Sequence, residues 1–431
     1  TGTMNLTEPQ AGSDVGALTA KAVRNNDGSY AITGQKIFIT WGDHDVADNI
    51  VHLVLARTAD APPGTKGISV FIVPKYLLND DGTPGQANTL ECVSLEHKLG
   101  IHCSPTAVMA FEDATGYLIG EEQTGMRSMF TMMNSARLSV GLEGLAVAER
   151  AYQQAVQYSF DRTQGGRPDL PKGEVAPIVE HPDVRRMLIT MKASIEAMRS
   201  LCYLNAKAMD DAHHADDDLV RVAGQELAEV LTPLSKAWCT DLGNELTSIG
   251  LQVHGGMGFI EETGAAQHYR DIRIGGIYEG TNGIQAIDLI GRKLPIRDGA
   301  AVGELLDQTQ AYAEALSGEL ASLTKPLVEG VSACRESSAW LLANHGDAAL
   351  AGATPYLRLL STVVAGGLMA KGAAIARAEL ADGATGDRAE FLSQKLVTAT
   401  FFIEQLVPAQ LGLLPSIMSG NNVLANFHPV V

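Results

Sequence analysis

The feature that most constrains this fold is a change in the pattern of residue types near residue 120. Before that point, short stretches rich in β-branched residues are separated by Gly, Pro, Asp and Asn, as in Tyr30–Thr40 (YAITGQKIFIT), Asn49–Arg57 and Gly67–Lys75. β-Branched residues favour strands, and frequent turn residues favour short antiparallel connections. We therefore predict an antiparallel β sandwich or barrel for residues 1–120.

From about Gly125 the spacing of apolar residues becomes helical. Met133–Thr163 carries apolar residues three and four apart, and further helices are predicted from His181 to Met209 and from Asp218 to about Ile249. Pro233 interrupts the last of these, because proline lacks the N–H that a helix interior needs. Long helices joined by short polar loops predict an antiparallel bundle over residues 121–298.

A third region, residues 299–431, is predicted to be an additional helical domain. Its amphipathic stretches predict helices at Ala301–Ser322, Pro355–Leu380 and Arg388–Leu406. The fold class expected for the whole chain is therefore α+β, with a β domain, a helical bundle and a C-terminal helical extension.

The charge balance restricts the possible partners. The formal net charge is -18 over 431 residues, so the overall field repels a nucleic acid backbone and any anion site must be local. No run of about 18 uncharged apolar residues is present, which predicts no membrane span. Five scattered cysteines without a paired spacing, and no recognisable targeting segment, predict reduced thiols and a cytoplasmic location.

Two segments of the β region have both a structural and a functional interpretation. LTEPQAGSD (Leu6–Asp14) has the composition of a surface turn, but its backbone N–H groups and hydroxyls could also hold an anionic or heteroaromatic ligand. FITWG (Phe38–Gly42) places a large aromatic residue at the end of a strand, where strand packing alone could explain it. The residues leave these alternatives open.

The helical region contains three segments that are equally ambiguous. Arg162 ends a helix, where a cation suits the helix dipole but could also bind a pyrophosphate. GLQVHGGMGF (Gly250–Phe259) follows no predicted strand, so it does not fit a Rossmann fingerprint and instead indicates a helix break with close backbone approach. AMDDAHHADDD (Ala208–Asp218) could bind a metal, although acidic loops of this kind are commonly solvated, and no metal site is predicted.

A single carboxylate, Glu279, lies in the small-residue segment GGIYEGTNGIQA (Gly275–Ala286). Ile284, Ile287, Ile290 and Leu294 are spaced as one apolar helix face, and either Thr281 or Asn282 could cap the helix. Glu279 would then precede a helix N-terminus, where the dipole favours an acid by a few tenths to ~1 kcal/mol. Local pattern alone explains the carboxylate without any function.

Four motifs in this order, LTEPQAGSD, FIT, QVHGGMGF and IYEGTNGIQ, resemble the acyl-CoA dehydrogenase family. The resemblance extends from Thr1 to about Leu294 and includes the spacing between motifs. It implies FAD as cofactor, an acyl-CoA thioester as substrate, a homodimer, and an electron-transfer flavoprotein as electron acceptor. It also implies that Glu279 removes the α-proton while the β-hydride passes to the flavin.

The resemblance further assigns contacts residue by residue. The contacts implied for the flavin and its diphosphate are Met4, Leu6, Thr7, Gly12 and Ser13, and those beside the isoalloxazine ring are Phe38, Ile39 and Thr40. The resemblance places Arg162 and Thr163 on the pyrophosphate of the FAD in a partner subunit, and Gln252, Gly255 and Gly256 on the adenosine side. It also implies flavin contacts for Thr281 and Asn282. Those implied for the substrate are Ser13, Asn134, Arg137 and Gly280.

The sequence departs from the common family pattern at both ends. The family's N-terminal helical domain is absent before residue 1, so we consider that a separate chain could supply it. The extension after Gly299 resembles a larger subclass that includes 3-methylmercaptopropionyl-CoA and broad-range fatty acyl-CoA dehydrogenases. Two alternatives remain open: an acyl-CoA oxidase that reduces O2, and a non-catalytic subunit.

Overall fold

The computed structural model describes residues 1–171 and 173–429, which divide into two compact units, Thr1–Ser135 and a second unit from Ala136 onward. Lys172, in the loop after the first long helix, and residues 430–431, at the end of the predicted extension, lie outside the described residues. The predicted division into three domains, with boundaries at residues 120 and 298, stays a prediction.

The first unit is built on strands, as the β-branched segments predict. Its strands are β1 (Gly2–Asn5), β2 (Lys21–Arg24), β3 (Tyr30–Thr40), β4 (Val51–Ala56), β5 (Ser69–Pro74), β6 (Tyr76–Leu78), β7 (Pro84–Ala87), β8 (Leu90–Leu95) and β9 (Thr106–Leu118). The main sheet has the order β1-β4-β5-β9-β3-β2, β8 pairs with β9, and β6 pairs with β7 in a small second sheet. Every pair is antiparallel except β1 with β4.

The longest strands of the unit are β3 and β9, and FITWG begins with Phe38 near the end of β3. Ile32 of β3, Phe71 of β5 and Phe111 of β9 are buried in the core of the unit. The pairing of β3 with β9 is irregular between Lys36 and Ile39, and Phe38 has a left-handed φ of 60° there. The irregularity re-aims the strand, so that the Phe38 side chain is 59% exposed instead of packed in the core.

The second unit is helical. The helices are α1 (Gly125–Asp161), which begins in the first unit, α2 (Pro182–His214), α3 (Asp218–Pro233), α4 (Cys239–Val253), α5 (Ala265–Ile272), α6 (Asn282–Asp288), α7 (Ala300–Glu314), α8 (Thr324–Ala343), α9 (Asp347–Ala381), α10 (Gly386–Phe401), α11 (Val407–Leu411) and α12 (Leu414–Met418). These observations confirm the α+β class. A continuous hydrophobic core includes Trp238, Leu246, Leu327, Tyr356 and Phe402.

The C-terminal helices differ from the predicted boundaries. The helix predicted for 301–322 ends at Glu314, because Ser317 is extended and Gly318 is left-handed before a 3₁₀ turn. Helix α8 follows, although its burial pattern was not recognised in the sequence. The helix predicted to start at Pro355 begins eight residues earlier, at Asp347, and buries Tyr356 directly after the proline. Packing in the core therefore outweighs the local cost of proline in a helix.

Among the residues that the structure describes, two helical stretches are long and apolar enough to cross a membrane by length and composition: Asp347–Ala381, whose apolar window is 72% buried, and Gly386–Met418, whose window is 28% buried. The first contributes Tyr356, Leu359 and Val363 to the hydrophobic core. Core helices commonly have this composition, so the finding is weak evidence for a span.

The cysteines are all free thiols. The Sγ atoms of Cys202 and Cys239 lie 3.7 Å apart in the core, and the spacing of these residues in the sequence gave no indication of the contact. Burial raises the pKa of the Cys239 thiol, which disfavours the reactive thiolate.

Candidate functional site

The segment around Glu279 forms a turn that ends in α6; we call residues 277–282 the Glu279 turn. Glu279 and Gly280 both have left-handed backbone conformations, with φ of 54° and 83°. Thr281 caps α6, since its Oγ1 accepts a hydrogen bond from the N–H of Ile284 at 3.2 Å. Two successive left-handed residues reverse the chain, which separates Glu279 from the helical conformation that begins at Asn282.

The predicted apolar face of α6 is wrong in part. Ile287 is 43% exposed, whereas Gln285 and Asp288 are buried. The spacing of apolar residues did not predict the burial of Gln285 and Asp288, because polar side chains can take core positions when they have partners. The buried face of α6 therefore carries hydrogen-bonding groups toward the Glu279 turn.

Arg137 of α1 supports the Glu279 turn from one side. Its Nε donates to the carbonyl of Glu279 at 3.4 Å, and its guanidinium lies 3.7 Å from the carboxylate of Asp288. Gln285 donates at 3.4 Å to the carbonyls of both Glu279 and Gly280. These long hydrogen bonds are made to backbone oxygens, so they orient the peptide and do not occupy the carboxylate of Glu279.

Lys236 supports the turn from a second side. It lies in a π turn, Leu234–Trp238, directly after Pro233, and its side chain is buried. The ammonium donates to the carbonyl of Gly280 at 2.8 Å and to Oδ1 of Asn282 at 2.9 Å. A π turn rotates side chains away from regular helical positions, and here it accompanies an inward-facing lysine.

Two glycines of α1 allow that helix to pack close to the π turn. A Cβ on Gly141 would lie 2.6 Å from the carbonyl oxygen of Ser235, and one on Gly144 would lie 2.5 Å from that of Cys239. Any larger residue would force the helices apart. The close approach lets α1 and the π turn both contribute cations to the Glu279 turn.

Asn282 links the Glu279 turn to α4. Its Nδ2 donates to Oδ1 of Asp241 at 2.6 Å and to Oγ1 of Thr240 at 2.9 Å. Burial raises the pKa of Asp241, and the hydrogen bond from Asn282 partly offsets that rise. The Asn282 side chain is therefore committed to contacts within the protein, including Lys236.

The carboxyl group of Glu279 is half-buried and has a raised pKa. Burial is the main cause, and the charge of Glu143 adds to it, whereas Arg137 and Lys236 act in the opposite direction. No hydrogen bond to the Glu279 carboxylate is found within residues 1–171 and 173–429. A carboxylate with few donors and a raised pKa is a stronger proton acceptor than an exposed one.

Tyr278 connects the turn to Glu143 of α1. Its hydroxyl donates to Oε2 of Glu143, and burial followed by this hydrogen bond raises the pKa of the phenol. The hydroxyl therefore stays protonated and continues to donate at neutral pH. Glu143 thereby contributes both a contact and a negative charge near the candidate base.

The remaining predicted residues of the helical unit lie elsewhere on its surface. Arg162 and Thr163 follow the end of α1 and are exposed, as are Gln252 in the last turn of α4 and Gly255 and Gly256 after that helix. The rings of Tyr158 and His254, whose centroids are 4.5 Å apart, bring the two segments together. The prediction that GLQVHGGMGF breaks a helix with close backbone approach is confirmed, since a Cβ on Gly258 would meet the Leu251 carbonyl oxygen at 2.2 Å.

A buried ion pair lies beside the start of LTEPQAGSD in the β unit. Glu8 and Lys36 are 2.8 Å apart, and Lys36 also donates to the carbonyl of Leu6 at 3.1 Å. This pair fixes the start of LTEPQAGSD beside β3. The remaining predicted residues lie at the surface (Gly12, Ser13, Phe38, Thr40), partly buried (Met4, Thr7) or in the core (Ile39), and Asn134 is partly buried on α1.

Sequence reasoning missed the polar residues that hold the Glu279 turn: Lys236, Asp241, Glu143, Gln285 and Asp288. One signal was available, because Gln285 and Asp288 are three apart among apolar residues. No such signal marks Lys236, whose role depends on the π turn. No group of three potential metal ligands is found in the described ranges, so the candidate acidic metal segment gains no support.

Three protein-family models match consecutive parts of the chain. The acyl-CoA dehydrogenase middle domain matches residues 3–114, the acyl-CoA dehydrogenase C-terminal domain matches 123–294, and an acetyl-CoA dehydrogenase C-terminal-like domain matches 304–428. The matches cover both the β unit and the segment that contains Glu279.

Curated relatives are longer than this chain. A 3-methylmercaptopropionyl-CoA dehydrogenase of Ruegeria pomeroyi is 50% identical, over 94% of this chain and 69% of the relative. A broad-specificity linear acyl-CoA dehydrogenase, FadE5 of Mycobacterium tuberculosis, is 37% identical over 94% of this chain and 70% of the relative. An acyl-CoA dehydrogenase from Bacillus anthracis, solved in complex with FAD, has the same fold, with a TM-score of 0.75, 22% identity and coverage of 100% of this chain and 73% of that one. Together with the family descriptions, these relatives establish that the chain belongs to the acyl-CoA dehydrogenase family of flavin-dependent oxidoreductases.

Proposed function

We propose that the chain catalyses α,β-dehydrogenation of an acyl-CoA thioester to the trans-2-enoyl-CoA, with Glu279 as the base. The observation that carries this proposal is the half-buried carboxylate of Glu279, whose pKa is raised while its backbone is held by Arg137 and Gln285. In the reaction, Glu279 takes the α-proton, the β-carbon loses a hydride, and a C=C bond forms. The raised pKa strengthens the base for a weakly acidic C–H bond.

The residues present fit FAD as the cofactor, and bound FAD would supply the hydride acceptor. In the β unit, Phe38 offers an exposed aromatic face, and the backbone at Gly12 is open, since a Cβ there would meet no atom of the described residues within 4 Å apart from its chain neighbours. In the helical unit, Gly255 and Gly256 are similarly open. Exposed glycine backbone and the Arg162 guanidinium suit a diphosphate chemically.

Thr281 and Asn282 would have different roles around such a cofactor. Thr281 caps α6, and Asn282 is bonded to Lys236, Thr240 and Asp241. We therefore assign Asn282 to holding the Glu279 turn. Met4, Leu6, Thr7, Ser13, Ile39, Thr40, Thr163 and Gln252 complete the proposed cofactor contacts, and Asn134, Arg137, Ser13 and Gly280 the substrate contacts.

The substrate we propose is 3-methylmercaptopropionyl-CoA, a short thioether acyl thioester. The support is the 50% identity to a 3-methylmercaptopropionyl-CoA dehydrogenase over 94% of this chain. Linear acyl-CoA esters are the competing substrate class, because the FadE5 relative is 37% identical.

Anaerobic bleaching of the flavin absorption band tests the reaction and ranks the substrates. We expect the purified chain to be yellow, and the band to bleach fastest with 3-methylmercaptopropionyl-CoA among a panel that includes butyryl-CoA and a long-chain acyl-CoA. The Glu279→Gln variant should bind flavin but bleach far more slowly. Equal bleaching by that variant would refute the role of Glu279, and a colourless protein would favour the non-catalytic alternative.

We further propose an electron-transfer flavoprotein as the acceptor, a homodimeric state and a cytoplasmic location, all from the family resemblance. Measuring peroxide in air separates this acceptor from the oxidase alternative, because an oxidase forms peroxide in proportion to the substrate consumed. Light scattering checks the dimer.

A further inference from the structure

Lys236 is a buried cation that the proposed reaction does not use directly. Its side chain contacts the carbonyl of Gly280 at 2.8 Å and Oδ1 of Asn282 at 2.9 Å. Both partners belong to the Glu279 turn, so the ammonium clamps the residues on the C-terminal side of the candidate base.

The position is costly for folding alone. Burying an ammonium costs several kcal/mol after relaxation, and a direct carboxylate partner normally offsets part of this cost. Lys36 of the β unit has such a partner in Glu8 at 2.8 Å. The contacts of Lys236 are instead neutral oxygens, and burial lowers its pKa to about 8, so that it remains mainly cationic at neutral pH.

The charges facing Lys236 come from three elements. Asp241 of α4, Glu143 of α1 and Glu279 itself favour the ammonium, and Arg137 of α1 opposes it. Seen from Glu279, Lys236 and Arg137 favour the ionised carboxylate, whereas burial and Glu143 oppose it. Arg137 also lies near Asp288, so part of its field is already balanced there.

We infer that Lys236 is a positioning residue for the reaction: through Gly280 and Asn282 it fixes the Glu279 turn, and its charge favours the ionised, proton-accepting form of Glu279. This inference rests on the proposed function, in which Glu279 is the base. The two effects act together, since the ammonium that holds the carbonyl of Gly280 also favours the ionised form of the neighbouring Glu279 carboxyl group.

Direct titration of Glu279 tests the electrostatic part without relying on activity. Glutamate labelled with ¹³C at the carboxyl carbon is incorporated into the 431-residue chain, and the Glu279 signal is assigned by its loss in Glu279→Gln. We expect Lys236→Met to move the titration midpoint of Glu279 to higher pH. Lys236→Arg, which keeps the charge, should move it less.

Kinetics test the positioning part. With 3-methylmercaptopropionyl-CoA at pH 7, Lys236→Met should lower kcat about 10- to 100-fold, with a smaller change in KM, because misplacement of a reacting group by about 1 Å can cost that much. The kcat profile should shift to higher pH, and Lys236→Arg should recover part of the rate. A purely structural role would lower flavin content and stability without moving the profile.

The matched control is Lys293→Met, which removes a partly buried lysine paired with Glu229 at 3.0 Å. It should leave both the titration and the kcat profile unchanged. If Lys236→Met does not fold, Lys236→Gln replaces it, since its amide can still donate but carries no charge. An unchanged Glu279 midpoint in the folded variant would overturn this inference, whereas full activity of Glu279→Gln would overturn the proposed function instead.

Discussion

Two buried or half-buried glutamates, one in each unit, have opposite electrostatic environments. The carboxylate of Glu8 accepts hydrogen bonds from the N–H groups of Thr19 and Ala20, from the Thr19 hydroxyl, from Gln10 and from the ammonium of Lys36. Although burial raises its pKa, these donors and Lys36 together lower it to about 2. Burial instead dominates at Glu279, where the pKa is raised.

The difference indicates that the supply of donors, more than burial itself, decides whether the pKa of a buried carboxylate is lowered or raised. A saturated carboxylate such as Glu8 stays ionised and links LTEPQAGSD to β3. At Glu279, the cations and amides bind backbone oxygens, so the carboxylate retains its capacity to accept a proton.

The largest expected effect is on activity and concerns Glu279. Glu279→Gln should lower the rate of flavin reduction about 10²- to 10⁴-fold, the usual contribution of a general base. Urea unfolding should show little change, because no donor to its carboxylate is found in the described ranges. Rapid-mixing spectroscopy measures the rate, and a rate within threefold of the unaltered chain would contradict the comparison.

The second effect concerns folding of the β unit. Glu8→Gln should destabilise the β unit by about 3–5 kcal/mol, because Lys36 would stay buried without a counter-charge. Urea unfolding followed by circular dichroism measures this loss. The double variant Glu8→Gln with Lys36→Met should recover part of it, and no recovery would show that the pair is not the cause.

A smaller effect is expected where α1 meets the π turn. Gly144→Ala should destabilise the helical unit by about 1–3 kcal/mol, because the added Cβ would lie 2.5 Å from the carbonyl oxygen of Cys239. The rate should also fall, since displacement of α1 moves Arg137. Gly303→Ala in α7 is the control: its Cβ meets no atom within 4 Å, so it should stabilise by up to about 1 kcal/mol.

The smallest expected effect is on pH dependence, and its sign differs between the two glutamates. The pKa of Glu8 is lowered from 4.5 to about 2, so its contribution to stability is present above pH 4.5 and is lost as the pH falls toward 2. The pKa of Glu279 is raised, so its ionisation disfavours the folded state as the pH rises above 4.5. The stability of Glu279→Gln relative to the unaltered chain should therefore increase with pH, and melting temperatures from pH 4 to 8 check this.

The sequence predicts the parts of the fold that depend on local pattern. β-Branched segments identify β3, β4 and β5, and apolar periodicity identifies α1 and α2. Boundaries fail where tertiary packing decides, as at Pro355 inside α9. Helix α8 was missed although it buries Leu327, Val331 and Cys334.

The candidate site was predictable in its central segment and at Arg137, but not in the residues that reach the turn from α4 and the π turn. Family resemblance identifies Glu279, and its neighbours Gly280, Thr281 and Asn282 follow from the same motif. Lys236 and Asp241 lie more than 35 positions away, and they reach the turn because Pro233, the π turn and two glycines of α1 shape the backbone. No pattern of residue types reports such long-range geometry.

The left-handed backbone of Glu279 lowers the stability of the fold at the residue proposed to act as the base. A non-glycine residue in this conformation costs roughly 1–2 kcal/mol, whereas glycine adopts it freely. Glu279→Gly would therefore relieve strain and burial at once while abolishing the base. Selection of this chain for thermal stability alone would be expected to enrich that substitution, whereas retention of Glu279 only when activity is selected as well would report on catalysis rather than on folding.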